Sequence, residues 1–358
     1  MATLAERLRE HIARDGPISV ADYMQACLAD AHEGYYTSRE PIGASGDFIT
    51  SPEVSQVFGE LIGLWAVAVW HAMGQPKSII VVELGPGRGT LLADASRAWR
   101  TQTAFAACVS LALVETSPVL REAQKEALRI SHQPMQWCEK IEDVPEGHPI
   151  IVLANEFIDA LPVRQLVRRR TIWRERCVGL DQDGRFAFVD GNIIKDDTLP
   201  TAPDGAIVER RPGTARLLTA LAARASQAPF AALFIDYGHA KSGVGDTLQA
   251  VRHHRYADPL TEPGKADLTA QVDFSALKQE AEAFGLCAFG PMAQGEFLLR
   301  LGLVARRDHL LETARPEQRE LISSGATRLA NPSQMGVLFK VLALASDGLA
   351  PPPPFGDI

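Results

Sequence analysis

The stretch "VVELGPGRGT", Val81 to Thr90, decides the fold. It is an apolar run followed by three glycines at alternate positions, Gly85, Gly87 and Gly89. A buried strand that runs into a glycine turn is the way in which a doubly wound α/β sheet presents its backbone to a nucleotide. The pattern therefore predicts a nucleotide-type cofactor. It leaves open whether that cofactor is a dinucleotide or S-adenosyl-L-methionine (SAM), which has no phosphate.

The spacing of the glycines favours SAM. A dinucleotide fingerprint is G-x-G-x-x-G, whereas this loop has G-x-G-x-G with Glu83 at the end of the preceding strand. Glycines let the backbone approach a ligand closely, and the acid can orient the ammonium of a methionyl group. E-x-G-x-G-x-G is the motif pattern of class I SAM-dependent methyltransferases.

Two further residues fit a nucleoside. Glu115 ends the next apolar run, "LALVET", where an acid can accept both ribose hydroxyls. Such an acid suits NAD and SAM equally but repels the 2′-phosphate of NADP. Trp137, in the third strand region, could stack on adenine, and ordinary core packing explains it about as well.

The fourth apolar run, "PIIVLANEFIDALPVRQ", carries Asn155, Glu156 and Asp159 beyond its carboxyl end, where ligands of doubly wound sheets bind. If the methyl acceptor is a guanidinium, these carboxylates suit it as clamps and as a base for its proton. The alternative is that the two acids favour the dipole of the following helix. His239, in "IDYGH", is a second candidate base or a structural histidine.

The pattern along the chain predicts an α/β protein with a helical amino terminus. Buried parallel strands are expected at 78–84, 109–115, 149–155 and 230–238, because these runs are continuous and rich in β-branched residues. Other predicted features are a helix capped by Ser51 and closed by Gly74, β-hairpins over 163–210, a helix over 268–284, an antiparallel pair over 287–303 and helix over 316–346.

These elements suggest four regions. They are an N-terminal helical region with a cofactor lid (1–75), an α/β domain (76–310) with an insertion at about 163–228, a C-terminal helical region (311–348) and a mobile Pro-rich tail (349–358).

Composition limits the partners. The formal net charge of −8 argues against general nucleic-acid binding. The five cysteines form no C-x-x-C pair, so no disulfide framework or thiolate zinc site is expected, and no metal site is predicted. No run is long enough for a membrane span, and the amino terminus has no signal or transit character, so a bacterial-type cytoplasmic protein is expected.

Several stretches together resemble the MidA-like family of class I SAM-dependent methyltransferases, which is related to a mitochondrial complex I assembly factor. The stretches that carry the resemblance are "GDFITSPEVSQVFGELIG", "VELGPGRGT", "NEFIDALPVRQ", "FIDYGH" and "GKADLTAQVDF". The likeness extends over roughly 30 to 345, with the motifs in the family's order.

The resemblance implies a Rossmann-like, seven-stranded sheet with added helices. It also implies protein-arginine methylation, with a core subunit of respiratory NADH dehydrogenase, or its bacterial counterpart, as target. "GDFITSPE" would fold over the cofactor. The implied cofactor contacts are Glu83, Gly85, Gly87, Gly89 and Glu115, with Gly46, Asp47, Thr50 and Ser51 from that lid. Pro86 of the same loop and the aromatic Trp137 are further candidate contacts.

Other interpretations stay open. The chain could be a non-catalytic complex I assembly chaperone that retains the SAM fold, an NAD-linked oxidoreductase or a small-molecule methyltransferase. The oligomeric state is open, a homodimer included. The basic run Arg164–Arg176 is either a surface for an anionic partner or the exposed face of a hairpin.

Overall fold

The computed structural model of the chain describes residues 2–37 and 50–356. In this part of the chain the helices are α1 (Leu4–Asp15), α2 (Val20–Ala29), α3 (Ser51–Val54), α4 (Gln56–Ala72), α5 (Thr90–Trp99), α6 (Thr103–Ala106), α7 (Pro118–Ala127), α8 (Pro212–Ala225), α9 (Phe274–Ala283), α10 (Gln294–Arg300), α11 (Leu303–Thr313), α12 (Pro316–Ala330) and α13 (Met335–Leu338), with a 3₁₀ turn at Ile141–Asp143.

The strands are β1 (Ile18–Ser19), β2 (Ile79–Leu84), β3 (Val109–Val114), β4 (Met135–Cys138), β5 (Ile150–Asn155), β6 (Arg164–Arg169), β7 (Ile172–Leu180), β8 (Phe186–Ile194), β9 (Ile207–Arg210), β10 (Phe230–His239), β11 (Gln249–Arg252), β12 (Arg255–Ala257), β13 (Asp267–Thr269), β14 (Val272–Asp273), β15 (Cys287–Ala293) and β16 (Phe339–Ala345).

These elements group into two units. The sheet unit consists of the described residues of Ile49–Ile158, Leu217–Lys241 and Val272–Ile358. The hairpin unit consists of Asp159–Arg216 and Ser242–Gln271 with the described residues of Met1–Phe48. The predicted helical region 1–75 is therefore not one body, since α1 and α2 belong to the hairpin unit and α3 and α4 to the sheet unit.

The sheet unit is built on seven strands in the order β15-β16-β10-β5-β2-β3-β4, and the short β14 pairs with β10. The strands from β4 to β10 along this order are parallel, and β16 is antiparallel to both of its neighbours. Both faces of a parallel sheet are covered, so its strands are apolar throughout, as in "IIVVEL" of β2. The predicted doubly wound α/β sheet is confirmed.

The carboxyl-terminal part of this sheet differs from the prediction. Residues 339–345 form the strand β16 rather than the end of a helix, and β16 is the antiparallel partner of β15. The second half of the predicted pair over 287–303 is the helix α10. An uninterrupted apolar run such as "FKVLALA" fits a buried helix and a buried strand equally, so its periodicity cannot distinguish the two.

The predicted helix from Ser51 to Gly74 is broken in two. Ser55 has extended backbone angles (φ −162°, ψ 134°), and its hydroxyl caps α4 by accepting from the N–H of Val57. α4 packs in the core of the sheet unit through buried side chains such as Trp65. None of the helices in the described part of the chain combines the length and apolarity that a bilayer crossing requires.

The Pro-rich end of the chain also departs from the expected mobile tail. As far as it is described, it packs on the sheet unit: the indole N–H of Trp65 donates to the carbonyl oxygen of Pro353 at 2.7 Å. The ring of Phe355 contacts that of Phe297, with centroids 5.8 Å apart. Apolar burial therefore anchors this segment.

The hairpin unit contains the antiparallel strands predicted over 163–210. β1, β7, β6 and β9 form one sheet, with β8 on β7, and β12, β11 and β13 form a second. Its own core is formed by α1, α2 and residues of these sheets, among them Tyr23, Val178 and Leu268. Ser19 is the N-cap of α2, and its hydroxyl accepts from the N–H of Asp22.

Candidate functional site

The carboxyl ends of β2 and β5 form the switch point of the sheet. The two strands are parallel neighbours, with Leu84 opposite Ala154. From β2 the chain continues to β3 on one side, and from β4 it returns to β5 on the other, so the connections diverge here. Ligands of doubly wound sheets bind in this crevice. The glycine loop follows β2, and Asn155 and Glu156 follow at the end of β5.

The glycine loop has a conformation that requires glycine. Gly85, Gly87 and Gly89 all have positive φ angles, of 60°, 55° and 83°. A Cβ atom on Gly85 would lie 2.8 Å from Cδ2 of Phe157, the residue after Glu156. Gly89 is the N-cap of α5 and is left-handed. The loop thus packs closely against the segment that follows β5.

Two buried acids accompany this loop. Glu83 is 3% exposed and Glu115 is 8% exposed. Burial, and secondarily the charge of Glu115, raises the pKa of Glu83 well above its ordinary value. Burial also raises the pKa of Glu115, against hydrogen bonds from the N–H of Ser117 and the amide of Gln124. Among the described residues, Oε2 of Glu83 has no hydrogen-bond partner.

Gln124 joins three parts of this region. It is fully buried, and its amide nitrogen donates to the carbonyl oxygen of Gly87 at 2.8 Å and to Oε2 of Glu115 at 3.2 Å. Its oxygen accepts from the indole N–H of Trp137 at 2.9 Å. These residues, Glu83, Gly85–Gly89, Glu115, Gln124 and Trp137, are called the glycine-loop cluster below.

Sequence reasoning missed Gln124, although a signal was present. Leu120, Gln124 and Leu128 recur at helical spacing, and all three are buried in the structure. A polar side chain on the apolar stripe of an amphipathic helix must find hydrogen-bond partners inside the protein. That position in "PVLREAQKEAL" is therefore the one to examine.

A second group of residues surrounds the end of β5. Glu156 has a left-handed backbone (φ 51°), which is uncommon for a side chain of this kind. Its Oε1 accepts from the backbone N–H of Ser51 at 2.8 Å and from the Asn155 amide at 3.1 Å. The Asn155 oxygen is buried and has no hydrogen-bond partner in the described part of the chain. These two donors thus hold one oxygen of the Glu156 carboxylate in place.

Two fully buried polar residues that sequence reasoning did not select support this arrangement. Asp236, on β10, accepts from the backbone N–H groups of Phe157 (3.2 Å), Ile158 (2.8 Å) and Tyr237 (2.8 Å). Gln294 accepts from the Ser51 hydroxyl at 3.4 Å and donates to the carbonyl oxygen of Leu329 at 3.0 Å. The residues Ser51, Asn155, Glu156, Asp236 and Gln294 are called the strand-end cluster.

The remaining predicted lid residues are only partly described. Gly46 and Asp47 lie outside the described residues. Thr50 is the N-cap of α3, and its carbonyl oxygen accepts from the N–H of Glu53 at 2.9 Å. The Glu53 carboxylate accepts from the Thr90 hydroxyl at the start of α5. α3 is therefore tied to the helix that follows the glycine loop.

His239 ends β10, whose Ile235 is the register partner of Asn155. Its Nδ1 lies 2.7 Å from the carbonyl oxygen of Lys241, an acceptor, so Nδ1 carries a proton and donates it. The other ring nitrogen is then the acceptor in the neutral form. This leaves His239 available as a base, although no hydrogen bond between it and the strand-end cluster is seen in the described part of the chain.

Asp159 belongs to the hairpin unit, whereas Glu156 belongs to the sheet unit. Burial raises the pKa of Asp159, and the guanidinium of Arg211 opposes that rise. Arg211 itself donates to the carbonyl oxygens of Leu161, Ala270 and Gln271. The acidic pair seen in the sequence thus separates into a strand-end carboxylate and one that faces a well-anchored arginine.

Half of the arginines in the basic run Arg164–Arg176 pair with acids of the hairpin unit. Arg164 pairs with Glu175 at 2.7 Å, and Arg169 pairs with Asp190 at 2.9 Å. Arg176 pairs with Asp246 at 2.6 Å and lies over the ring of Phe188. These contacts favour the hairpin interpretation over a surface for an anionic partner.

Comparison with known proteins identifies the class. The family of S-adenosyl-L-methionine-dependent methyltransferases matches residues 61–292. A crystal structure of a Burkholderia thailandensis protein bound to S-adenosyl-homocysteine (SAH) superposes with a TM-score of 0.84 at 27% identity, covering 97% of this chain and 92% of that one. The chain belongs to this methyltransferase family, and its cofactor is SAM.

Two relatives carry more specific names. The mitochondrial protein arginine methyltransferase NDUFAF7 homolog of Drosophila melanogaster is 39% identical over 97% of this chain and 86% of its own length. The mitochondrial protein arginine methyltransferase NDUFAF7 of Homo sapiens is 35% identical over 95% of this chain and 83% of its own.

Proposed function

We propose that this methyltransferase modifies the guanidinium group of an arginine in a protein. The observation that carries the proposal is the fixed carboxylate of Glu156 at the switch point of the sheet. Two donors, the Ser51 N–H and the Asn155 amide, occupy Oε1. A carboxylate is a planar acceptor and suits the planar fork of N–H donors on a guanidinium. A lysine ammonium has no such fork.

The glycine-loop cluster fits SAM. The positive φ angles of the loop glycines fit the turn that brings backbone close to a ligand, and the unpartnered Oε2 of Glu83 is a buried acceptor that an ammonium group would satisfy. Glu115 would accept the ribose hydroxyls, and Trp137 would stack on adenine. We assign the methionyl end to Glu83 and the backbone of Gly85, Pro86, Gly87 and Gly89, with Thr50 and Ser51 at its side. When bound, SAM supplies a methyl group activated by the sulfonium charge.

The strand-end cluster orients the acceptor and removes its proton in this proposal. Glu156 holds the guanidinium N–H groups, and the unpartnered oxygen of Asn155 accepts a further one. N-methylation of a guanidinium releases a proton, for which Glu156 is the first base and His239 the second. Positioning contributes most of the rate because the reaction is an in-line displacement. Asp159 stays a candidate contact for the acceptor.

Support for arginine, rather than another acceptor, comes from the names of the two relatives. For the target itself we propose a core subunit of NADH dehydrogenase or its bacterial counterpart, following the MidA-like resemblance. A cytoplasmic location stays a prediction, since those relatives are named as mitochondrial.

The test is methyl transfer from isotopically labelled SAM into a lysate of cells that lack the enzyme. The labelled protein is hydrolysed and its methylated amino acids are separated. The proposal expects label in methylarginine. Label in methyllysine, or in small molecules alone, contradicts it.

A second function, that of an assembly chaperone, is separated by genetics. Glu156→Gln is introduced into cells that lack the enzyme, with Glu317→Gln on an exposed part of α12 as the matched control. If methyl transfer is the function, only the control variant restores assembly of the respiratory complex. Restoration by a variant that binds SAH but transfers no methyl group indicates the chaperone.

A further inference from the structure

Gln124 is fully buried and contacts three segments that the proposed function assigns to the cofactor. The segments are the glycine loop through Gly87, the end of β3 through Glu115, and β4 through Trp137. α7, which carries Gln124, is also packed directly against the loop, since a Cβ atom on Gly89 would lie 3.3 Å from the Gln124 Cα. No residue type other than glutamine or asparagine offers two N–H donors and an acceptor on one neutral side chain, and asparagine is shorter.

The orientation of this amide is determined by its partners. An indole N–H is a donor only, so the atom that faces Trp137 must be the amide oxygen. The amide nitrogen then faces the Gly87 carbonyl and the Glu115 carboxylate, both acceptors. Both N–H groups and the oxygen are thus used, and the buried amide has no unsatisfied group.

The donor to Glu115 matters most, because Glu115 is buried near another acid. The charged groups that face Glu115 are Glu83 from β2 and Arg121 from α7. The Arg121 guanidinium donates to the backbone carbonyl oxygen of Glu115 at 2.8 Å and 2.6 Å. Burial raises the pKa of Glu115, and the hydrogen bonds from Ser117 and Gln124 lower it. Each of these two donors occupies one carboxylate oxygen.

We propose that Gln124 is a positioning residue for SAM: its amide holds the Glu115 carboxylate aimed at the ribose while fixing the glycine loop and Trp137 in one arrangement. This rests on the proposed assignment of Glu115 and Trp137 to the cofactor. Each oxygen of Glu115 retains a lone pair for one ribose hydroxyl. A protonated or rotated Glu115 would offer one acceptor fewer.

The test measures the dissociation constant of SAH by calorimetry over about pH 5.5 to 8.5, a range around which buried carboxyls titrate. Gln124→Met keeps the length of the side chain and removes its donors. Gln136→Leu, on the exposed face of β4, is the control and keeps the wild-type profile. We expect Gln124→Met to weaken SAH binding about 10- to 100-fold, the value of a hydrogen bond to a charged group, and more strongly at low pH than at high pH.

The pH profile separates positioning from mere packing. Weakening by one constant factor at all pH values, or binding within about twofold of wild type, overturns the proposal. Gln124→Glu gives a second reading if the methionine variant does not fold. Its carboxyl can still donate when protonated but repels Glu115 when ionised, so its SAH affinity should fall as pH rises. An unchanged slope in that variant also overturns the proposal.

Glu115→Gln in the same titration distinguishes the two levels of the argument. If Glu115→Gln leaves SAH affinity unchanged, the assignment of Glu115 to the cofactor fails and the role of Gln124 fails with it. If Glu115→Gln weakens binding and Gln124→Met does not, the cofactor assignment stands and the role of Gln124 is rejected.

Discussion

The glycine-loop cluster and the strand-end cluster lie at the same edge of one sheet, yet the buried carboxylates of Glu83 and Asp236 differ in how many hydrogen bonds they accept. Glu83 has an oxygen without a partner among the described residues and a raised pKa. Asp236 is equally buried and accepts from three backbone N–H groups. The comparison indicates that Glu83 leaves a buried acceptor for a ligand, whereas Asp236 is a satisfied group that holds the segment after Glu156 in place.

Gly85→Ala should have the largest effect because it disturbs both clusters at once. The new Cβ would meet Phe157 at 2.8 Å, and the residue would stay in a left-handed conformation. Strain and overpacking together should cost about 3 kcal/mol of stability, and the displaced loop should weaken SAH binding, measured by calorimetry, about 100-fold.

Gly147→Ala is the matched control for this change. Gly147 has a similar φ of 74° with no atom within 4 Å of the added Cβ. It should lose about 1–2 kcal/mol of stability and keep its SAH affinity. If the two variants bind SAH equally well, the close approach of the clusters has no functional importance.

Asp236→Asn should destabilise the protein by about 2–3 kcal/mol, because one acceptor oxygen is replaced by a donor that faces backbone N–H groups. Methyl transfer should fall with the displacement of Glu156, while the remaining folded protein binds SAH normally. Thermal unfolding and SAH titration measure both effects, with the exposed Asp347→Asn as control. A stable Asp236→Asn protein would show that these hydrogen bonds do not hold the strand-end cluster.

Unlike the preceding substitutions, Glu83→Gln should stabilise the ligand-free protein, by about 1 kcal/mol at neutral pH. The folded pKa of Glu83 is above the ordinary value of 4.5, so the folded state binds more protons than the unfolded state. The contribution of Glu83 to wild-type stability is therefore greatest below about pH 4.5 and falls as pH rises toward the folded pKa. Glutamine does not titrate, so its advantage should grow with pH.

The same substitution should weaken SAH binding, because the acceptor for the ligand ammonium loses its charge. Unfolding midpoints of both proteins across this pH range check the prediction. If Glu83→Gln is destabilising at neutral pH and independent of pH, the carboxylate is a satisfied structural group like Asp236, and the contrast between the clusters disappears.

Trp137→Phe should have the smallest effect. The aromatic face for adenine is kept, and only the hydrogen bond to the Gln124 oxygen is lost. A net loss of about 1 kcal/mol corresponds to roughly fivefold weaker SAH binding. A loss as large as that of Gly85→Ala would mean that the indole N–H, rather than the ring face, is the important feature.

The sequence predicted the glycine-loop cluster better than the strand-end cluster, for a physical reason. The predicted residues of the first cluster lie at or just beyond the ends of neighbouring strands: Glu83, the glycines, Glu115 and Trp137. The order of the strands fixes where such residues meet. The strand-end cluster instead joins segments far apart in the chain: the Ser51–Glu156 bond spans 105 residues and the Ser51–Gln294 bond spans 243. No local pattern signals such contacts.

The fold followed the same division. The buried parallel strands are predictable because each is a short apolar run between turn residues. The run of β16 predicts a helix equally well, because it has no period that distinguishes a helix from a strand. The sequence also gives no sign that Glu156 and Asp159 belong to different units.

The most direct test of the account measures SAH affinity and methyl transfer together for Glu156→Gln. If Glu156 acts on the acceptor and not on the cofactor, as proposed, SAH affinity should stay within about twofold of wild type while transfer to protein arginine falls at least 100-fold. Transfer at the wild-type rate would remove Glu156 from the reaction. A parallel loss of SAH affinity would show that the two clusters form a single cofactor site.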